Sequence, residues 1–201
     1  MIQNKNLDSG FRKIEISKSD EKNLEKIINN SNIILKNGVW VSSAGLRLNY
    51  WLATEKLISE PQLLKSIAKN LKKIIASQKI QVIAACSIAS IPWATTISNM
   101  YDLPLVILRK RKESHGEQAW IIGNIKLIAR GEILLVDDSI LSGKTIRSFY
   151  NRTKRLGYKL KHVFVFDVWS NRKMKNEIEN WAKTNNIIIW FVKDFELKLN
   201  E

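Results

Sequence analysis

Apolar positions in this chain follow two rhythms that alternate from residue 61 onward. After Pro61, which a first helical turn tolerates, Leu63, Leu64, Ile67, Leu71 and Ile74 recur at three- and four-residue intervals and predict one buried helical face. Ile80 to Ala85 then reads as a buried strand. Pro92 predicts the opening of a second helix that ends near Tyr101. Leu105 to Leu108 and Ile133 to Val136 are further apolar strands that end in polar residues. Ser142 to Leu156 reads as a helix stopped by Gly157, Val163 to Val168 as a strand, Asn171 to Lys183 as a helix and Ile187 to Val192 as a last strand. Upstream, Leu24, Ile27 and Ile28 mark a short helix from Asp20 to about Asn29. Ile33 to Leu52 alternates in strand fashion, broken by Gly38 and Gly45, as a small hairpin or lid would. Residues 1–16 are polar and predict a loosely ordered segment, and His162, opening a strand, reads as a surface residue.

Strands that are apolar on both faces and interleaved with helices predict an α/β fold with a central parallel sheet covered on both sides. Ligands of such sheets bind beyond the carboxyl ends of the strands, which tells where to look for chemistry.

Composition narrows the setting. The chain has 201 residues, enough for one domain, and 45% hydrophobic residues, enough for a buried core. Its formal net charge of +14 favours a phosphate-bearing ligand, but the cations are scattered apart from Arg109-Lys110-Arg111-Lys112, as on a solvated surface. A nucleic-acid partner is therefore not favoured. One cysteine, Cys86, leaves no internal disulfide and no multi-cysteine zinc site, and its place among small residues reads as a buried space-filler. The apolar runs fall short of the ~20 residues that cross a bilayer, and the polar N-terminal stretch has no signal-peptide core. A cytoplasmic protein without a membrane partner is the expectation. Seven tryptophans read mostly as core or interface anchors, with Trp40, Trp51 and Trp93 placed where stacking on a base is conceivable.

The segment EILLVDDSILSGKTI, Glu132 to Ile146, carries the chemistry. A strand delivers Asp137 and Asp138 to the ligand edge, and a short hydroxyl-rich loop and a helix follow. Backbone N–H groups at such a helix start, with the helix dipole, suit a phosphate dianion. Gly143 allows close backbone approach, and Ser142, Lys144 and Thr145 can add donors. Two carboxylates beside a phosphate suit the vicinal hydroxyls of a ribose, directly or through Mg²⁺. The plainer alternative is that the acids only cap and solubilise a strand end. A Walker A loop is excluded, because its first glycine is absent and an acidic pair leads.

VDDSILSGKT resembles the PRPP-binding signature of type I phosphoribosyltransferases. VWVSSAGLRLNYWL, ISEPQLLKSIAKNL, QVIAACSIASIPWATTIS, LPLVILRKRKESHGEQAWIIG and FVKDFELKL resemble, in order, segments of the orotate branch from its N-terminal hood to its closing segment, from about Leu24 onward. The resemblance implies the type I fold: a central parallel sheet flanked by helices with a small hood, organised as a loose N-terminus (1–16), a hood segment (17–55) and a core (56–201). It implies attack of a nucleobase nitrogen on C1 of PRPP with release of pyrophosphate. Asp137, Asp138, Ser139, Leu141, Ser142, Gly143, Lys144 and Thr145 would bind ribose and 5'-phosphate. Ala85, Cys86, Ser87, Ile88, Ala89 and Ser90 would form the pyrophosphate loop. Arg109, Lys110, Lys112 and His115 would act as mobile-loop catalytic groups together with Asp138. Mg²⁺ would arrive with PRPP near Asp137 and Asp138, without direct ligation by the protein. A homodimer is implied as well.

Several positions depart from that pattern. Glu113 and Ser114 precede His115-Gly116 where the orotate branch carries a lysine and an aspartate, and Leu141 replaces a threonine or aspartate. The pyrophosphate loop lacks glycine, although non-glycine residues with positive φ are strained. The Asp-Arg pair whose arginine contacts orotate reads Asp167-Val168. Two functions follow: an orotate phosphoribosyltransferase-like enzyme of nucleotide synthesis or salvage, or a non-catalytic PRPP- or nucleotide-binding homologue acting as a sensor. The segment before Ile33 is short for a winged helix, which disfavours a DNA-reading version of the second.

Overall fold

The computed structural model describes residues 9–30, 34–35, 40–42, 45, 47–48, 51–111, 120–124, 126 and 131–196. The strands are β1 (Gly10–Lys13), β2 (Ile34–Leu35), β3 (Trp40–Val41), β4 (Arg47–Leu48), β5 (Trp51–Leu52), β6 (Ile80–Ala85), β7 (Leu105–Leu108), β8 (Ile121–Ile122), β9 (Glu132–Ile140), β10 (Leu160–Ser170) and β11 (Ile188–Glu196). The helices are α1 (Lys18–Asn30), α2 (Pro61–Asn70), α3 (Lys72–Ser77), α4 (Ser90–Tyr101), α5 (Lys144–Arg155) and α6 (Arg172–Thr184), with a 3-10 turn at Thr54–Ser59.

Seven strands form the central sheet in the order β1-β11-β10-β9-β6-β7-β8, and every pairing is parallel except that of β7 with β8. The two-residue period of the pleat divides the apolar runs between two cores. Ile83 and Ala85 of β6, Leu134 and Val136 of β9, and Phe164 and Phe166 of β10 join α2, α3 and α4 on one face. Val82 and Ala84, Ile133 and Leu135, and Val163 and Val165 join Ile146 and Phe149 of α5 and Ile178 of α6 on the other. Both faces are covered, as continuous apolar strands require. Trp93 of α4 is buried in the first core and stacks on Phe166 at 5.3 Å, so it packs the interior and is not free to stack on a base.

The chain reverses direction across the sheet between β6 and β9. β7 lies on one side of β6 while β9, β10 and β11 extend on the other, so the turns after β6 and β9 diverge and open a crevice at their carboxyl ends. Above it sit two small antiparallel pairs, β2 with β5 and β3 with β4. Trp51 lies 6.4 Å from Trp40 and meets Trp169 of β10 edge-on at 5.6 Å, which fastens this upper layer to the sheet.

Three expectations change. Gly10–Lys13, expected to be loose, is an edge strand in parallel register with β11, from Gly10↔Ile188 to Lys13↔Phe191. β9 does not end at Val136: its ladder with β10 continues through Asp137↔Val165, Asp167↔Ser139 and Ile140↔Val168, so the acid pair is still strand and the turn is only residues 141–143. His162 is buried, not a surface residue, because β10 is an interior strand with His162 opposite Leu134 on one side and Ile188 on the other. Burial pushes its pKa down. A smaller difference is that α4 begins at Ser90, ahead of Pro92.

Candidate active site

The crevice holds a cavity of ≈ 910 Å³, within the ~300–1,000 Å³ usual for small-molecule sites. Its floor is the end of β9. Asp137 and Asp138 are neighbours in a strand, where a regular pleat would send them to opposite faces. One hydroxyl from the turn after β6 nevertheless reaches both. Ser87 Oγ donates to Asp137 Oδ1 at 2.8 Å and has Asp138 Oδ1 at 3.3 Å as an alternative acceptor. Asp138 N also donates to Asp137 Oδ1 at 3.1 Å, and Thr54 Oγ1 to Asp138 Oδ2 at 3.4 Å.

Asp137 is 4% exposed. Burial first, and then the neighbouring Asp138 carboxylate, push its pKa up to about 7. A third carboxyl lies beneath. Asp167 is fully buried and accepts from Ser139 Oγ at 2.8 Å, while its Oδ2 finds no hydrogen-bond partner among the described residues. Burial raises its pKa well above the usual carboxylate range. The pair at the surface of the floor therefore holds one negative charge readily and a second only near neutral pH.

At one end of the floor the chain turns into α5. Gly143 has φ 71 and caps the helix, and a Cβ on it would lie 3.0 Å from Ile178 Cγ1. Only glycine meets both demands without strain. Ser139, Leu141 and Thr145 line the cavity. Ser142 Oγ instead accepts from Lys144 N at 3.4 Å, and the Lys144 side chain is exposed at the helix start.

The turn after β6 contributes Cys86, Ser87, Ile88 and Ala89 to the cavity wall. Ser90 Oγ accepts from Cys86 N at 3.1 Å and Ser87 N at 2.9 Å, and donates to Ser87 O at 2.8 Å. Ser87 Oγ accepts in turn from Ser90 N at 3.0 Å. These reciprocal bonds shape the turn without glycine. Among the described residues the non-glycine positive-φ positions are Lys79, Asp102 and Asn186, none of them here. The strain expected of this loop is thus avoided by running it directly into α4. Ala85 and Ser90 are buried beneath the turn, whereas Ile88 is 89% exposed. Cys86 is buried, donates to Val136 O at 3.4 Å and has its pKa raised by burial, so it is an inert thiol.

Arg109, Lys110 and Arg111 line the opposite wall, where β7 leaves the sheet. Lys112, Glu113, Ser114 and His115 lie outside the described residues, as do residues 1–8 and 197–201. Val168 is fully buried and Trp169 lines the cavity beside Trp51, so no arginine stands at the position after Asp167. Sequence reading singled out neither Thr54 nor the role of Ser87 as a clasp on both acids. A serine aligned with the end of β6, facing an acid pair on the neighbouring strand, was the available signal for the second.

The model of the phosphoribosyl transferase domain matches residues 53–200, a stretch that contains both turns, the acid pair and the basic wall. The chain belongs to the phosphoribosyltransferase family. Among its relatives, the orotate phosphoribosyltransferase of Pyrococcus abyssi is 33% identical over 71% of this chain and 78% of its own length. That of Pyrococcus furiosus is 30% identical over 65% of this chain and 72% of its own. In fold, the chain is similar to the Mycobacterium tuberculosis orotate phosphoribosyltransferase solved in complex with PRPP, with a TM-score of 0.61 over 89% of this chain and 90% of that one at 12% identity. In this phosphoribosyltransferase the charges are laid out by sign. Carboxyls come from β9 and β10, a glycine-capped helix start from α5, and cations from the end of β7.

Proposed function

We propose that this protein transfers the 5-phosphoribosyl group of PRPP to a nucleobase, with orotate as the acceptor that its relatives favour, and releases pyrophosphate. The observation that carries the reading is the acid pair at the reversal point of the sheet, on the strand that leads into a glycine-capped helix start and lining the same cavity as three cations.

In this reading the 5'-phosphate sits at the start of α5, accepting from its unpaired N–H groups and from Thr145. The ribose hydroxyls meet Asp137 and Asp138. The base nitrogen forms a bond to C1 as the bond from C1 to the pyrophosphate oxygen breaks, and the electron pair leaves with pyrophosphate. Positive charge gathers on the sugar near the carboxylates, and negative charge gathers on the leaving group, which Arg109, Lys110 and Arg111 would balance. Lys112 and His115 remain candidates for the same task by resemblance.

Mg²⁺ fits the donor set. Among the described residues no group of three or more His, Cys, Asp or Glu could hold a metal. Mg²⁺ arriving with PRPP would take its ligands from substrate oxygens and water, with Asp138 and an ionised Asp137 facing it across that water. The ion would supply charge neutralisation on the pyrophosphate. The family resemblance also supports a homodimer, testable by sedimentation equilibrium. No helix among the described residues is long and apolar enough to cross a membrane.

One feature favours a second reading, a non-catalytic PRPP or nucleotide sensor: Ile88 presents an exposed apolar side chain where pyrophosphate would lie. Pyrophosphate release measured with PRPP and each of orotate, uracil, hypoxanthine, guanine and adenine separates the two. Release with orotate is expected, and silence with every base would establish the sensor. The site itself is tested by calorimetry. Asp137→Asn combined with Asp138→Asn is expected to abolish PRPP binding, and unchanged affinity would refute the assignment.

A further inference from the structure

α5 carries several cations, and one of them is spent on neutral groups. The Arg152 guanidinium donates to the carbonyl of Arg109 and, at 3.1 Å, to that of Lys110. Its Cζ lies 4.1 Å from the Trp120 ring and 5.1 Å from that of Phe149. Arg109 N in turn donates to Trp120 O at 2.9 Å, continuing the β7–β8 ladder of Ile107↔Ile122 and Leu108↔Ile121. Both legs of the β7–β8 hairpin therefore meet at one side chain. That side chain stands ~2 turns along the helix whose first residues form the phosphate turn.

An arginine on a solvated helix face would keep its rotamer freedom and its water. Holding it half-buried against two consecutive carbonyls and an indole gives up that freedom and part of that water, and burial also lowers its pKa. The planar fork of five donors suits two adjacent carbonyls at once, which a lysine ammonium on a flexible stem does not.

We propose that Arg152 is a positioning residue: it fixes the backbone of Arg109 and Lys110 to the phosphate-turn helix and so sets where these cations stand over the pyrophosphate half of the cavity. This rests on the transferase reading for the identity of the ligand. Displacing a catalytic group by about 1 Å can lower a rate by ~100-fold, so a clamp of this kind has kinetic weight.

The test compares two half-ligands. Inorganic pyrophosphate and ribose 5-phosphate, each with Mg²⁺, are titrated calorimetrically into the wild-type protein, Arg152→Gln and Arg152→Lys, and PRPP turnover with orotate is followed in parallel. In Arg152→Gln, pyrophosphate affinity is expected to fall by about tenfold and kcat by ~10- to 100-fold, while ribose 5-phosphate affinity stays within about twofold. Arg152→Lys keeps the charge without the fork and is expected to resemble Arg152→Gln; should the glutamine variant fail to fold, the lysine variant is judged by the same comparison. Equal loss of both affinities, no change in either, or full recovery by lysine would each overturn the proposal. If the wild-type protein turns over no base, the transferase reading fails, yet the two isotherms still decide whether Arg152 governs the pyrophosphate side.

Discussion

Replacing Asp137 by asparagine tests the electrostatics of the cavity floor with one atom. Asparagine mimics the protonated acid: its Oδ1 can still accept from Ser87 Oγ and Asp138 N, and its amide can donate to Asp138. In the native protein, burial and the Asp138 charge raise the pKa of Asp137 from 3.8 to about 7. Between those values the folded chain binds a proton that the unfolded chain has released. Stability attributable to this group is therefore complete below about 3.8, drains as pH rises, and stays lost above about 7. At ~1.4 kcal/mol per pH unit the full loss is about 4 kcal/mol, of which roughly 2 to 3 kcal/mol falls between pH 5 and pH 8. The two acids titrate as a pair, so this magnitude belongs to the pair's second ionisation. Urea unfolding of both proteins, followed by tryptophan emission at pH 5, 6, 7 and 8, gives the difference directly. His162 titrates in the opposite direction and cancels in the comparison, since it is present in both proteins. The asparagine variant should gain on the wild type by about 2 to 3 kcal/mol across the range. A gap constant to within ~0.5 kcal/mol would show that Asp137 is ionised throughout, and the account of the floor would be wrong.

Ser87→Ala removes a donor that favours the charged form of Asp137, so the pH at which Mg²⁺ and PRPP bind well should move upward, as read from calorimetric titrations between pH 6 and 8.5. Gly143→Ala forces a side chain onto a left-handed residue 3.0 Å from Ile178, and should destabilise the fold by more than about 1 kcal/mol and weaken ribose 5-phosphate binding. Unaltered affinity would mean that the α5 start does not hold the phosphate. Trp93→Ala empties the space against Phe166 and should lower unfolding free energy by ~3–5 kcal/mol in urea, with PRPP affinity retained wherever the variant remains folded.

The legible parts of this chain were those whose neighbours on both faces are apolar. Leu105–Leu108 could be read to the residue because nothing polar interrupts it, and Ile80–Ala85 because its one polar residue, the exposed Gln81, is followed by four buried apolar ones. β9, β10 and β11 run past their apolar stretches because a parallel ladder between interior strands carries Asp137, Ser139, Asp167 and Ser170 with it. Local composition does not show that reach. Gly10–Lys13 was hidden for the same reason: one phenylalanine among polar residues is no strand signal until β11 stands beside it. At the site, the acid pair and the glycine turn were visible because their chemistry is local. The clasp of Ser87 on both acids and the reach of Arg152 to Arg109 join residues 50 and 43 positions apart, and on a helix rich in cations Arg152 looks like any solvated arginine.

The register of Gly10 with Ile188 has a consequence for biosynthesis. β11 lies between β1 and β10 in the sheet, so β1 has no partner in that sheet until β11 emerges from the ribosome. Until then β10 presents a bare edge, and a nascent chain in that state is open to strand exchange with a neighbour. Insertion of β11 closes both gaps at once, which makes the interval before β11 emerges the vulnerable one for this protein.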